Sequence, residues 1–318
     1  MRDATGLTGV REKKPLHFSL GFTLGLLFIF LCTQAQAQSI AVIKSHDIEP
    51  FNQALAGFVS ACDSHITEYN LRGSEREGRD VIKRIIATRP KFIVAIGPLA
   101  AQIAKEGGQD IPVVFFMVPN PHKQGLEGKN IAGISLEVPI ETQFAMYKSI
   151  VPTLKTVGVI YDPEKTGAMI AQAGVVAEKL GLQLLAAPAT SQKAVPAAWR
   201  SILGKIDALW MVPDDTVVTP ESFQFLSLAA FENNLPFMAV SDIFVEVGAL
   251  ASLSPDYTDV GRQGCQLVTE VQSNRLSLKE VNVVPPAKVN LSINLKTASK
   301  IGLTPPPEII QAASKVYR

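Results

Sequence analysis

The sequence predicts an α/β protein with two lobes, each built around a parallel β-sheet, and three observations predict it. Short apolar segments alternate with helical periodicity along nearly the whole chain of 318 residues, a length that suits two domains. Most of these segments are apolar on both faces, as strands of buried parallel sheets are. A proline that opens an apolar run occurs as QDIPVVFF at Pro112 and again as NNLPFMAV at Pro236.

The individual elements follow from these periodicities. The predicted strands are Ser39–Lys44, Phe92–Ile96, Val113–Val118, Val157–Tyr161, Leu182–Ala186, Ala208–Val212, Phe237–Val240, Leu250–Leu253 and Lys288–Ile293. The predicted helices are Pro50–Cys62, Arg76–Ala87, Ala100–Glu106, Glu141–Val151, Ala168–Leu180, Ala194–Leu203, Glu221–Glu232 and Asp256–Gln272. Such alternation indicates βαβ units with right-handed crossovers.

The two prolines mark equivalent places in the predicted lobes. Proline cannot donate to a sheet ladder, but it is tolerated as the first residue of a strand and it stops a preceding helix. In both copies a helix ends in a polar or glycine-rich turn, and the proline then opens a buried strand. Two similar lobes explain the repetition, although a chance recurrence of a common helix-to-strand connection stays open. The segment Gly133–Pro139 is interpreted as the passage between the lobes.

The first 37 residues have the pattern of a secretory signal peptide. Basic residues (Arg11, Lys13 and Lys14) precede an apolar run from about Phe18 to Cys32, and the segment ends in Ala35-Gln36-Ala37. The run is shorter than the roughly 20 residues that span a bilayer. We expect cleavage after Ala37, with an uncleaved anchor as the alternative. Leu31 argues against lipid attachment at Cys32, because a small residue is expected there.

Composition excludes some classes of function. Apolar residues form 47% of the chain, which permits a large core, and the net charge is +1. Removing the four basic and two acidic residues of the leader from 30 and 29 leaves 26 basic against 27 acidic residues. The mature chain therefore has no electrostatic signature of nucleic-acid binding. A transcription regulator is also disfavoured because a signal peptide stands where a DNA-binding headpiece would be.

Two cysteines, Cys62 and Cys265, remain in the mature chain. An oxidising compartment permits a disulfide between them without requiring one. Because Cys62 shares a helical stripe with Phe51, Leu55 and Phe58, the residues alone favour a small buried side chain. No Cys-x-x-Cys occurs, so neither a redox motif nor a zinc knuckle is indicated.

Ligands of parallel α/β sheets bind beyond the carboxyl ends of the strands. The loops at those ends supply the candidate ligand-binding residues: His46, Asp47, Gly97, Pro98, Leu99, Asn120, Tyr161, Asp162, Asp214, Asp215, Thr216, Ser241, Asp242 and, at the start of a late helix, Tyr257. Each also has a structural interpretation, because Asp, Asn and Ser in such loops often cap a helix or make a turn.

Motifs of catalysis are missing from the sequence. There is no Gly-x-Gly-x-x-Gly after the first strand, no Walker lysine loop and no Gly-x-Ser-x-Gly elbow. The histidines have no metal-ligand spacing, so we expect neither a metal nor a cofactor. The sequence therefore predicts a protein that is not an enzyme.

Several ordered segments carry a family resemblance: Gly133–Ser135, Val157–Pro163, Gly248–Ala251, Asp256 to Gln263, and Ile293 to Leu303. Through them the mature chain resembles the ABC-transporter substrate-binding proteins of the tryptophan/tyrosine type. The resemblance implies the type I periplasmic-binding-protein fold, with two Rossmann-like lobes joined by a three-crossover hinge. It implies lobe one from 38–136 with 256–287, and lobe two from 137–255 with 288–318.

The resemblance also implies how a ligand would sit. An amino-acid-like carboxylate is expected at the helix start after Gly97, and its ammonium near Asp214, Asp215 or Asp242. Pro98-Leu99 departs from the Ser or Thr usual after that glycine, and the acidic loop after Pro213 is shorter than usual. The identity of the ligand is therefore left open. The family further implies that the helices at 50–62 and 256–272 pack together, which brings Cys62 near Cys265.

The leading hypothesis is a monomeric periplasmic solute-binding protein. It captures a small polar ligand, amino-acid-like or a small carboxylate, for the permease of an ABC importer. A second hypothesis is an exported binding module that serves a sensor or signalling partner. The third is a two-domain α/β enzyme.

Overall fold

The computed structural model describes residues 39–108 and 110–318, and the predicted signal peptide lies outside these residues. Two sheets organise the chain. The first has the strand order β11-β5-β4-β3-β1-β2, with β1 (Ser39–Lys44), β2 (His65–Asn70), β3 (Phe92–Ile96), β4 (Val113–Val118), β5 (Ile131–Ser135) and β11 (Val283–Val284). All of its strand pairs are parallel.

The second sheet has seven strands in the order β13-β12-β10-β9-β8-β6-β7. They are β6 (Thr156–Tyr161), β7 (Gln183–Pro188), β8 (Ala208–Trp210), β9 (Phe237–Ala239), β10 (Ala251–Pro255), β12 (Val289–Asn294) and β13 (Lys315–Tyr317). Only the β10–β12 pair of this sheet is antiparallel.

Helices cover both faces of each sheet. Around the first sheet they are α1 (Glu49–Ala61), α2 (Glu75–Thr88), α3 (Pro98–Gly107), α9 (Tyr257–Gln272) and α10 (Leu278–Val281). Around the second they are α4 (Ile140–Ile150), α5 (Pro163–Lys179), α6 (Val195–Ile202), α7 (Pro220–Glu232), α8 (Asp242–Glu246) and α11 (Leu295–Lys300). A 3-10 turn at Gln192–Ala194 and helix α12 (Pro307–Ala312) complete the described elements. Within that described part, no helix is both long and apolar enough to cross a membrane.

The chain passes between the sheets three times: after β5, between β10 and α9, and between β11 and β12. Each sheet has its own buried apolar clusters, one on either face. The two-lobe α/β fold with three crossings is therefore confirmed. The exact lobe boundaries stay a prediction.

The two proline units occupy equivalent positions, as predicted. The Pro112 carbonyl accepts the N–H of Ile93 at 2.9 Å, and the Pro236 carbonyl accepts the N–H of Leu209 at 2.8 Å. Each proline thus joins the neighbouring strand through its oxygen, and the strand itself begins one residue later. Proline has no backbone N–H but keeps its carbonyl oxygen, and in both sheets this oxygen accepts a hydrogen bond from the neighbouring strand.

Some boundaries differ from the sequence prediction. Helix α5 begins at Pro163, not at Ala168, because the Asp162 side chain accepts the N–H of Glu164 at 3.0 Å and caps it. The passage between lobes begins after Ser135, since Gly133 belongs to β5. Four strands were not predicted. Strands β2 and β13 lack a run of buried apolar residues, β11 has only two residues, and part of the buried strand β5 was interpreted as the passage between the lobes.

Helices α1 and α9 cross at very short distance. A Cβ on Gly261 would lie 1.9 Å from the carbonyl oxygen of Ala54, and a Cβ on Gly57 would lie 1.9 Å from that of Thr258. Only glycine permits this approach of two backbones. The crossing holds α9, which follows a strand of the second sheet, against the first sheet.

A disulfide joins Cys62 to Cys265, whose Cα atoms are 5.6 Å apart. Cys62 follows the last residue of α1 and is half-buried, while Cys265 is buried within α9. The expectation of an unpaired, buried Cys62 is therefore wrong. The residue pattern alone missed the pairing because the helix packing that brings the two cysteines together joins segments 203 residues apart.

G261A should destabilise the protein by about 3 kcal/mol, because the new methyl group has no space and the helices must move apart. The matched control is G174A in α5, where a Cβ meets nothing within 4 Å. That change should raise the free energy of unfolding by roughly 0.5 kcal/mol. Urea unfolding of both variants measures the difference, and equal stabilities would contradict the close crossing.

Loss of the disulfide should cost about 3–5 kcal/mol of stability, because it closes a very long loop in the unfolded chain. The double substitution C62S/C265S should lower the melting temperature. Dithiothreitol should lower that of the wild type toward the same value and leave the variant unchanged. A reductant effect of equal size on both proteins would contradict this explanation.

Candidate functional site

Loops at the carboxyl ends of the two sheets contact each other. The Lys123 ammonium, in the loop after β4, donates to the Lys165 carbonyl in the first turn of α5 at 3.2 Å. Tyr257 begins α9 two residues after β10 of the second sheet; burial raises its pKa, and the carboxylate of Asp242, which follows β9 of the same sheet, raises it further. The strand ends of the first sheet therefore meet those of the second, where the sequence placed the candidate site.

A buried lysine organises the end of β1. Lys44 is 5% exposed, and its ammonium lies 3.1 Å from both Asp47 and Glu68 and 2.7 Å from the Asn52 side-chain oxygen. Burial lowers the pKa of Lys44, but the hydrogen bonds and charges of the two carboxylates outweigh burial and raise it. Hydrogen bonding from Asn52, and then from Lys44, lowers the pKa of Asp47. Asp47 therefore secures the loop that carries His46.

His46 is exposed and packs on a glycine turn that follows β2. A Cβ on Gly73 would lie 2.4 Å from Cε1 of His46. Arg72 precedes this glycine and is also exposed. The sequence analysis missed Arg72 because it missed β2, and with it the fact that this turn lies beside the end of β1.

At the start of α3, fewer backbone N–H groups are available to a ligand than the sequence suggested. Gly97 has a φ of 91°, and a Cβ there would lie 2.6 Å from the Phe51 ring. Pro98 has no N–H, and the N–H of Ala100 is taken by the buried Ser45 hydroxyl at 2.8 Å. Within the described chain, Leu99 is thus the one residue of this first turn whose N–H has no protein acceptor. The helix start offers one donor for an anion.

The loop after β4 begins with a β-bulge. The β4–β5 register shifts between Phe115 and Val118, and the buried Met117 has a φ of 61°. Asn120 also adopts a left-handed conformation, and its backbone N–H donates to the Glu137 carboxylate on the passage to the second lobe. The bulge directs this loop, which also carries Lys123, toward the second lobe.

Two buried carboxylates tie together the loops after β6 and β8. Asp214 is 1% exposed; one of its oxygens accepts the N–H of Asp162 at 2.8 Å and the Thr166 hydroxyl at 2.6 Å. The other accepts the N–H groups of Thr216 at 3.0 Å and Val217 at 3.3 Å. The Thr216 hydroxyl in turn donates to Asp162 at 2.7 Å. The hydrogen bonds of these side chains are thus made within the protein, and they hold the two loops together.

Asp242 begins α8 after Ser241, and its carboxylate lies 3.2 Å from the Lys315 ammonium on β13. Hydrogen bonds with Tyr317 and then with Asp242 raise the pKa of Lys315. Both side chains of this pair are about half exposed, so solvent screens their attraction. Asp242 is therefore accessible, although it already has a cation beside it.

The predicted residues thus fall into two groups. Asp47, Asp162, Asp214 and Thr216 are bound to neighbouring protein groups in the loops, and Gly97 and Pro98 shape the start of α3. The residues that keep a polar or aromatic group accessible are His46, Leu99, Asn120, Tyr161, Asp215, Ser241, Asp242 and Tyr257. The sequence analysis did not identify Lys44, Arg72, Lys123, Glu137, Thr166 or Lys315.

Two open grooves lie away from these loops. One of about 390 Å³ is lined by Leu228, Phe231, Val247 and Lys300 on the second lobe. The other, of about 320 Å³, lies beside Cys265 and is lined by Arg262 and Arg275. Neither contains a residue of the candidate site. Among the described residues no group of three or more acidic, histidine or cysteine side chains has the geometry to hold a metal ion.

Comparison with known proteins identifies the family. A family model described as ABC transporter substrate binding protein matches residues 58–317. The chain belongs to this family. This substrate-binding protein is also 23% identical, over 326 aligned residues, to a tyrosine-binding protein of Clostridioides difficile strain R20291, covering 92% of this chain and 94% of that relative.

Solved structures share the fold of this substrate-binding protein. A ligand-free, open structure of a substrate-binding protein with adhesive properties from Clostridium difficile aligns with a TM-score of 0.72 and 23% identity. It covers 88% of this chain and 99% of that one. An ABC domain from Streptococcus pneumonia in complex with L-Trp aligns with a TM-score of 0.56 and 22% identity, covering 88% and 99%. The type I periplasmic-binding-protein fold is thereby confirmed.

D214N should destabilise this substrate-binding protein by about 3 kcal/mol, because an amide nitrogen replaces an oxygen on which two donors converge. The control is D215N, which neutralises the adjacent but exposed carboxylate and should change stability by less than about 0.5 kcal/mol. Urea unfolding measures both. If D215N is the more damaging change, Asp214 does not build the loops as described.

Proposed function

We propose that this protein captures a free amino acid between its lobes and delivers it, outside the cytoplasm, to the permease of an ABC importer. The observation that carries the proposal is the contact between strand-end loops of the two lobes, made by Lys123 with Lys165. Loops that belong to two sheets joined by three crossings suit a ligand held by both lobes. Closure of two lobes around a ligand is an established mode of switching.

The side chains accessible at these loops suit an amino acid with an apolar or aromatic side chain. Tyr161 and Tyr257 are half-buried and present ring surface together with a hydroxyl group. Phe244 lies nearby on α8 and packs against Phe223, with ring centroids 4.5 Å apart. Aromatic surfaces with a few polar groups are typical of small-molecule sites. The tyrosine-binding relative and the L-Trp-bound structural neighbour support this ligand class.

The ionic groups suit both ends of a zwitterion. Asp242 and the exposed Asp215 on the second lobe offer carboxylates to an ammonium group. His46 and the Leu99 N–H on the first lobe offer donors to a carboxylate. Because the donors lie on one lobe and the carboxylates on the other, one amino acid bridges the two lobes, so binding favours the closed arrangement.

The test is a thermal-shift screen of the purified mature chain against the twenty L-amino acids and small dicarboxylates, followed by calorimetry. At 100 times its dissociation constant a ligand adds about 2.7 kcal/mol of stability, which should raise the melting temperature by several degrees. D-enantiomers are the matched controls and should give smaller shifts. If no L-amino acid gives a shift, the amino-acid proposal fails; chemical conversion of the ligand would instead favour an enzyme.

The sensor hypothesis predicts the same ligand and a different partner. Stimulation of the ATPase activity of the reconstituted permease by the ligand-loaded protein would support import. Intact ligand binding without such stimulation would favour a sensor or signalling partner. The proposed export depends on the leader, which lies outside the described residues, and a mature protein that begins at Gln38 would support it.

A further inference from the structure

The turn that follows β2 places an arginine in an unfavourable backbone conformation. Arg72 and Gly73 have φ angles of 50° and 73°, and the N–H of Ser74 donates to the Leu71 carbonyl at 2.8 Å. These are the features of a type I′ turn, whose first central position favours Asn, Asp or Gly. Residues held in such conformations are enriched at ligand sites, which makes the side chain of Arg72 of interest.

The turn is fixed against the end of β1. The N–H groups of Leu71 and Gly73 donate to the carbonyl oxygens of Lys44 and Ser45, both at 2.8 Å. The Asn70 side chain accepts the N–H of Arg72 at 2.9 Å. Arg72 therefore stands one strand away from Ser45, which itself contacts the start of α3. This is the carboxyl edge of the sheet. Strand β2 pairs with one side of β1 and β3 with the other, so the strand order reverses at β1, and parallel α/β sheets bind ligands at such a reversal.

An anion at this edge has few other partners. At the start of α3 only the Leu99 N–H is available, because Pro98 has none and Ser45 occupies that of Ala100. The buried Lys44 is engaged by two carboxylates. In the loop after β4, His122 lies 2.6 Å from Glu127 and Lys123 donates to the second lobe. Among the described residues at the ends of β1 to β4, Arg72 and His46 are the basic side chains that have neither an acidic partner nor a hydrogen bond to another protein group.

We propose that Arg72, with His46 beside it, binds the carboxylate of the ligand in place of the obstructed start of α3. Arginine suits this role because its planar guanidinium can bind a carboxylate with two parallel hydrogen bonds. The ligand carboxylate then faces the first lobe, and its ammonium faces Asp242 and Asp215 on the second. This inference rests on the proposed amino-acid binding and assigns a residue that sets its specificity.

The test uses R72N, which removes the guanidinium and suits the left-handed conformation, so that the turn is kept. The matched control is R89N. Arg89 is an exposed arginine with a φ of 48°, but it follows α2 at the opposite end of the sheet. Both variants should melt at or above the wild-type temperature, because Asn tolerates this conformation better than Arg. A binding defect in R72N would then not be a folding defect.

Binding is measured by calorimetry with L-tyrosine and with tyramine, which lacks the carboxylate; the tightest amino acid of the screen and its amine replace them if different. R72N should weaken binding of the amino acid about 10- to 100-fold and leave binding of the amine unchanged, as loss of one charge-assisted contact does. R89N should change neither. R72K should restore part of the loss.

The outcomes separate the two proposals. If the wild type binds no amino acid, the proposed function fails and this inference fails with it. If the wild type binds an amino acid and R72N binds it equally well, only the role of Arg72 is overturned. Equal weakening for the amino acid and its amine would also overturn that role, because the affected contact would not involve the carboxylate.

Discussion

The close crossing of α1 and α9 is the contact on which the two-lobe arrangement depends. Helix α9 is reached from β10 in the second sheet, and it packs on the first sheet only because Gly57 and Gly261 let backbone meet backbone. The Cys62–Cys265 disulfide joins the same two helices. Their packing holds Tyr257, the first residue of α9, at the junction of the lobes. A contact that looks structural therefore positions a group of the candidate site.

Many polar side chains at the strand ends form hydrogen bonds and ion pairs that hold the loops in place. Asp214 and Asp162 hold the loops after β6 and β8 through buried hydrogen bonds, and Lys44 forms one ion pair with Asp47 in the loop after β1 and another with Glu68 on β2. A buried carboxylate that already accepts four donors gains little from a ligand ammonium and would lose protein contacts by turning toward it. The accessible and weakly paired carboxylates, such as Asp242 and Asp215, are better suited to bind the ammonium of the proposed ligand.

The sequence was sufficient to predict what depends on local pattern. Continuous apolar runs such as Val113–Val118 predicted the central strands, and Pro112 and Pro236 predicted where two of them begin. The edge strand β2 escaped detection because it is exposed along much of its length, and Arg72 escaped with it, whereas part of the buried strand β5 was interpreted as the passage between the lobes. The disulfide and the Asp162–Asp214 pair join segments that are distant in sequence. Residue patterns predicted the loops that carry the candidate site. They did not predict which side chains are hydrogen-bonded within those loops and are therefore not available to a ligand.

The joint between the lobes is weaker than the lobes. Each sheet is buried between apolar clusters, whereas the contact of Lys123 with Lys165 is exposed, and exposed polar contacts contribute about 1 kcal/mol or less. Such a contact alone stabilises one lobe arrangement only slightly. A ligand whose carboxylate binds the first lobe and whose ammonium binds the second adds two charge-assisted contacts that exist together only when the lobes are close. In the proposed function the free energy that favours closure therefore comes mainly from the ligand, which is the requirement for a receptor that reports whether it is loaded.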